Sequence, residues 1–160
     1  MKLKSHFRSL LLSVFVGGLL SFTIIHNNVP SIYPLNGDVT ISSNYGKRIH
    51  PITHESKMHV GVDFKAKIGT PVIATADGVV TKIEYLPNGY GNKITLQHKD
   101  NIQTIYAQLE TINVKEGQKI SQKDLIGTVG NTGKSTGPHL HYEVVINGDH
   151  MDPNLYFGVK

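Results

Sequence analysis

The chain has 160 residues, no cysteine, nine histidines and a formal charge of +4. That length holds one domain with a real core plus a short extra segment, and the absence of cysteine excludes a thiol nucleophile and a lipidated cysteine anchor. Residues 1–30 carry three of the sixteen Lys and Arg and none of the twelve Asp and Glu, so the rest of the chain is close to neutral at +1. No nucleic-acid partner is expected from such a balance.

The extra segment comes first. Lys2, Lys4 and Arg8 precede an apolar run from Leu10 to Ile25, with no acidic residue before Asp38. Residues 1–30 therefore read as a signal peptide or an N-terminal membrane anchor. The run contains Gly17, Gly18 and three hydroxyl residues, which is a marginal span where about twenty apolar residues are normally needed. No A-x-A cleavage site is present, since the first alanine is Ala66. The folded part is expected outside the cytoplasmic membrane, on its periplasmic or extracellular face, released or tethered through residues 10–25.

Beyond this segment the chain reads as strands, from about residue 34 to 157. In His59-Val60-Gly61-Val62-Asp63, a straight strand would separate the histidine from the aspartate by roughly 13 Å. For both to reach one ion the chain must bend, and Gly61 permits it. Thr70–Ala76 and Val79–Ile83 flank Asp77-Gly78, a hairpin signal. Pro87–Asn92 is a loop, followed by Ile94–Gln97; Lys99-Asp100-Asn101 then turns the chain into Ile102–Tyr106. Val114–Ile120 has the pattern of a tight turn between short strands. No sustained 3.6-residue stripe follows residue 30, and sixteen glycines and seven prolines suit many turns. The expected fold is all-β and mainly antiparallel, a compact sandwich or barrel-sandwich hybrid.

In Pro138-His139-Leu140-His141-Tyr142-Glu143-Val144-Val145-Ile146, alternation puts His139 and His141 on one face and Leu140, Tyr142, Val144 and Ile146 on the other. The two histidines are then roughly 7 Å apart at the backbone, so one can bind a metal while its neighbour leans toward the open position. Alone, H-x-H is also the pattern of two solvated histidines on an edge strand, and H-x-x-x-D is common by chance. Together they offer two imidazoles and a carboxylate, with one imidazole to spare. Three protein ligands and an open fourth position describe a catalytic zinc site. His54, His98 and His150 sit in polar turns and read as solvated, and Tyr90 and Tyr142 as core or rim aromatics. Gly133-Lys134-Ser135 has the look of a phosphate-loop tail, but Thr128 stands where that motif needs glycine and a strand follows; Gly127–Gly137 reads instead as the rim of a cleft.

These motifs belong to a longer ordered set: Tyr45-Gly46-Lys47-Arg48-Ile49-His50-Pro51, Gly69-Thr70-Pro71-Val72, Ala76–Val80, Gly89-Tyr90-Gly91-Asn92, and Gly130 through Glu143. The set, spanning about residues 43–157, resembles the M23 (lysostaphin/LytM-type) zinc metallopeptidases that cut peptide cross-links in bacterial cell walls. The resemblance implies a LytM-type β fold, one zinc held by His59, Asp63 and His141, and His139 as the catalytic histidine beside it. It places Arg48 and His50 near the groove as candidate substrate contacts, and it names peptidoglycan stem peptides as the substrate. One stretch departs from the family. Where the pattern is Tyr-x-His-Leu, this chain has Tyr106-Ala107-Gln108-Leu109. Glutamine cannot take up a proton, but its amide can donate to an oxyanion, so Gln108 is an auxiliary catalytic candidate. The same swap keeps open an alternative: a non-catalytic relative that binds cell wall or regulates another hydrolase. A biotinyl- or lipoyl-type carrier domain also shares the Val79-Val80 and Val114–Ile120 patterns, but it needs neither an export segment nor the His139–His141 pair.

Overall fold

In the computed structural model, which describes residues 27–49 and 54–158, the alternating segments form β-strands and one 3₁₀ turn, Pro153–Leu155. The apolar run of residues 10–25 and His50, both named above, lie outside the described residues. The strands are β1 Thr40–Ser43, β2 Gly46–Ile49, β3 Ser56–His59, β4 Val62–Lys65, β5 Pro71–Ile73 and β6 Gly78–Leu86. Then come β7 Gly91–Gln97, β8 Ile102–Ile112, β9 Lys119–Ile120, β10 Leu125–Val129, β11 His139–Ile146 and β12 Asp149–Met151. One large sheet follows the path β1-β4-β11-β8-β7-β6-β9, with β5, β10 and β12 joined at its sides; β2 and β3 form a separate ladder. Every described pair is antiparallel, the expected fold class.

Period-2 alternation decides what each strand buries. Val62 and Phe64 of β4, Leu140, Tyr142 and Val144 of β11, Tyr106 of β8 and Ile94 and Leu96 of β7 meet in one core. Each such side chain contributes about 1.5–3 kcal/mol on burial. The opposite face of β4 and β11 is thereby left for Asp63, His139 and His141.

The core also holds a polar chain. Tyr106 and Tyr142 hydroxyls each lie 2.9 Å from Thr75 Oγ1, and Thr104 donates to the Tyr106 hydroxyl at 3.2 Å. His98 completes it, with Nδ1 2.7 Å from the Asp77 carbonyl and Nε2 2.7 Å from Thr104 Oγ1. His98 is thus not solvated as expected but buried. Burial pushes its pKa below the usual histidine range, so the ring is a neutral structural bridge. His54, by contrast, is exposed.

The Lys99–Asn101 turn is as expected: Asp100 and Asn101 both adopt positive φ, and β7 and β8 pair from Gln97↔Gln103 onward. The Asp77-Gly78 hairpin is not. β5 pairs with β10, and β6 pairs with β7 and β9. Gly78 is small for a different reason, since a Cβ there would meet the Gln97 carbonyl at 2.5 Å and His98 Nδ1 at 2.7 Å. The turn near Gly117 (φ +80) is present, but only Lys119–Ile120 after it is a strand.

β8 matters most for the site. Ile102–Ala107 pairs with β11, whereas Leu109–Ile112 pairs with β10. The residue at the changeover is Gln108, held at φ +63. A left-handed, non-glycine residue inside a strand stores of order 1–3 kcal/mol of strain and marks a bulge that re-aims its side chain.

Candidate metal centre

Asp63 and His141 are directly opposite in the β4–β11 register, and His139 is opposite Lys65. His59 arrives from the other ladder. β3 ends at His59 and β4 begins at Val62, so the chain changes sheet across Val60-Gly61 and draws His59 back over Asp63. Gly61 is required there by space, not by φ: a Cβ would lie 2.5 Å from the Tyr142 carbonyl and 2.9 Å from both Glu143 Cγ and His141 Cε1. This is close backbone approach of the kind that only glycine allows.

The three side chains converge. His59 Nε2 is 3.2 Å from Asp63 Oδ1 and 3.2 Å from His141 Nδ1, and Asp63 Oδ1 is 2.8 Å from His141 Nδ1. A tetrahedral ion with bonds of 2.0–2.1 Å separates its ligand atoms by about 3.3 Å, so the donor set and spacing fit zinc. The tautomers fit too. His59 donates Nδ1–H to the Asn44 carbonyl at 2.8 Å, freeing Nε2. His141 donates Nε2–H to Glu143 Oε1 at 2.8 Å, freeing Nδ1.

Electrostatics follow from burial. Burial would raise the Asp63 carboxyl, but hydrogen bonds from His141 and His59 outweigh it and hold its pKa far below the usual range. Burial would lower His141, yet the Asp63 and Glu143 carboxylates on either side push it up to about 9. A cation at Nδ1 therefore competes with a well-held proton, and metal binding releases that proton.

His139 stands beside the cluster without joining it. Its Nδ1–H donates to the Gly137 carbonyl at 2.8 Å, and its Nε2 lies 3.8 Å from Asp63 Oδ1. All four residues line a groove of about 840 Å³, together with Arg48, Gln108, Tyr90 and the Lys134–Pro138 rim. Arg48 reaches to 3.6 Å from Asp63 Oδ2. The Gln108 amide nitrogen donates to the carbonyls of Tyr90 and Thr132, at 2.8 Å each. These carbonyls belong to two rim loops, which also meet through Lys134 N–H to the Gly89 carbonyl at 2.8 Å.

Glu143 is the participant whose task was not read from the motif. It is fully buried, and Oε1 also accepts from the Tyr90 hydroxyl at 2.8 Å. Its Oε2 is 3.0 Å from His150 Nδ1, a close approach without hydrogen-bond alignment. His150 is thus engaged at the site's back, not simply solvated. The signal was available, because Glu143 lies two residues beyond His141 on the same strand face.

Comparison with known proteins agrees with this geometry. The profile of peptidase family M23 matches residues 57–153. The DD-carboxypeptidase/endopeptidase Mpg of Neisseria meningitidis serogroup B is 47% identical over 113 residues, covering 71% of this chain and 26% of that protein. The peptidoglycan DD-endopeptidase ShyC of Vibrio cholerae is 37% identical, covering 91% of this chain and 37% of its own length. This chain thus spans only about a quarter to a third of those relatives. A solved zinc-containing peptidase from Vibrio cholerae superposes with a TM-score of 0.73 at 36% identity, over 79% of this chain and 39% of that one.

Proposed function

This chain belongs to peptidase family M23, and from that premise we propose that it is a zinc-dependent endopeptidase cleaving the peptide cross-links of bacterial peptidoglycan. The observation that carries the reading is the triangle of His59 Nε2, Asp63 Oδ1 and His141 Nδ1 within 3.2 Å of one another, with His139 free of it on the same strand face. The endopeptidase names of its relatives support the substrate class.

When bound, one zinc ion supplies a Lewis acid for the scissile carbonyl and acidifies the attacking water. The chain's own residues do the rest. Gly137 fixes the His139 tautomer, so Nε2 is the atom that takes the proton from the attacking water and returns it to the leaving amine. Glu143 orients His141 and balances charge behind it. Arg48, on the groove wall, contacts the substrate. Gln108 acts as the auxiliary donor; its two N–H groups rest on the Tyr90 and Thr132 carbonyls, so one of them must be exchanged for the oxyanion during the reaction.

The full chain incubated with purified cell walls should release soluble peptides, stop on addition of a chelator and recover with zinc. Metal analysis should find close to one zinc per chain, and near none in His141→Ala. Equal zinc in both proteins refutes the ligand assignment; intact walls refute the activity.

The reading also requires the domain to meet its substrate outside the cytoplasmic membrane, which the Lys2–Arg8 basic stretch and the apolar Leu10–Ile25 support. A reporter that works only after export, fused behind Lys160, should be active. Activity of a cytoplasm-only reporter instead would end the cell-wall assignment.

A further inference from the structure

The groove is electrically lopsided. Arg48, Lys57, Lys65 and Lys134 line it, and among the described residues the one carboxylate that lines it is Asp63, already engaged by His59 and His141. Outside these five, residues 31–160 hold nine Lys against eleven Asp and Glu, so the cationic excess of the domain is concentrated in the groove. Outside the groove, Lys82 and Lys93 share Glu84 at 2.7 and 2.5 Å. Among the described residues, no carboxylate lies within ion-pair distance of Lys57, Lys65 or Lys134.

Exposed lysines are commonly no more than a solvated surface. These differ in where they are set. Lys65 is the register partner of His139 on the same face of the sheet, which brings their Cβ atoms to about 5 Å. Lys57 is the register partner of Arg48 on the β2–β3 wall, and Lys134 stands on the rim loop. Cations from three separate elements thus line the groove that also holds His139 and the His59, Asp63 and His141 cluster. Like charges gathered in a concavity repel one another and focus a positive potential into it.

We propose that the groove selects its peptide by free carboxylates flanking the cleaved amide, received by Lys57, Lys65, Lys134 and Arg48, and that it discriminates against the same peptide carrying carboxamides there. This rests on the peptidase reading above and specifies its substrate. Each lysine contributes about two- to fivefold, the range of a solvent-accessible ion pair, so the combined preference is about tenfold or more.

The test compares two synthetic cross-linked stem peptides of one sequence, with flanking carboxylates free or amidated. In the full chain, kcat/KM for the free form should exceed that for the amidated form by about tenfold. The ratio should fall toward one in the double variant Lys57→Gln/Lys134→Gln and as salt rises, because screening shortens the reach of these charges. Lys99→Gln, in the β7–β8 turn, should keep the wild-type ratio. Binding of both peptides to the His139→Ala protein is measured in parallel, so the preference is read even without turnover. A wild-type ratio near one, or a ratio unmoved by the double substitution, overturns the inference and leaves the peptidase reading standing. Absence of cleavage with a tenfold binding preference would sink the peptidase reading and keep the inference.

Discussion

His139→Ala is expected to lower cell-wall cleavage by about two to four orders of magnitude, the usual worth of a positioned acid–base group, while zinc content stays near one per chain. The separation of effects follows from geometry. The His139 imidazole is 3.8 Å from Asp63 Oδ1 and makes its own hydrogen bond to Gly137, so its loss leaves the contacts among His59, Asp63 and His141 in place. Zinc lost together with activity would show His139 to be a ligand; activity retained would remove it from the chemistry. Gln108 sharpens the same measurement. Gln108→Ala should cost about one to three orders of magnitude, the range for one oxyanion donor, and it also unties the Tyr90 and Thr132 loops. Gln108→His restores the family's second imidazole and should keep or raise the rate. Walls left intact by wild type but digested by Gln108→His would identify a silenced enzyme, and the wall-binding or regulatory alternative would replace the peptidase reading.

The parts of the site that were legible in the sequence are those fixed by local periodicity. Alternation along His139–Ile146 put the histidines and the core residues on opposite faces, as found, because β4 and β8 on either side of β11 enforce its register. The need for a bend between His59 and Asp63 was also legible, since a straight strand cannot bring them together. What escaped were pairings between distant segments. The Asp77-Gly78 hairpin failed because β5 pairs with β10, a strand about fifty residues later, and no local signal records that choice. His98 in its turn looked solvated, yet the Asp77 carbonyl, from the bend before β6, and Thr104 of β8 enclose it. Gln108 could be named from the family pattern, but its positive φ comes from β8 changing partners, which is a property of the assembled sheet.

Glu143→Gln is expected to weaken zinc binding by about ten- to a hundredfold with the fold intact, the effect of losing a carboxylate behind a ligating histidine. Glu143 Oε1 takes hydrogen bonds from both His141 Nε2 and the Tyr90 hydroxyl, at 2.8 Å each. The first sets the tautomer that presents Nδ1 to the ion. The second fixes the carboxylate itself. A fully buried carboxylate is tolerable only when compensated, and the Asp63 and Glu143 charges together match one dication. Glutamine keeps the shape and can still accept from His141, but it removes the negative charge that favours the metal over an empty site. Glu143→Ala goes further, leaving His141 Nε2–H and the Tyr90 hydroxyl without their acceptor. Each unsatisfied buried group costs about 1–3 kcal/mol, so the melting temperature should fall as well as the affinity. Competition against a zinc-binding dye and a thermal melt separate the two. Wild-type zinc affinity in Glu143→Gln would mean that the carboxylate only fills space. Weakened affinity at an unchanged melting temperature would place its role in the metal centre, with Tyr90 as the group that holds it there.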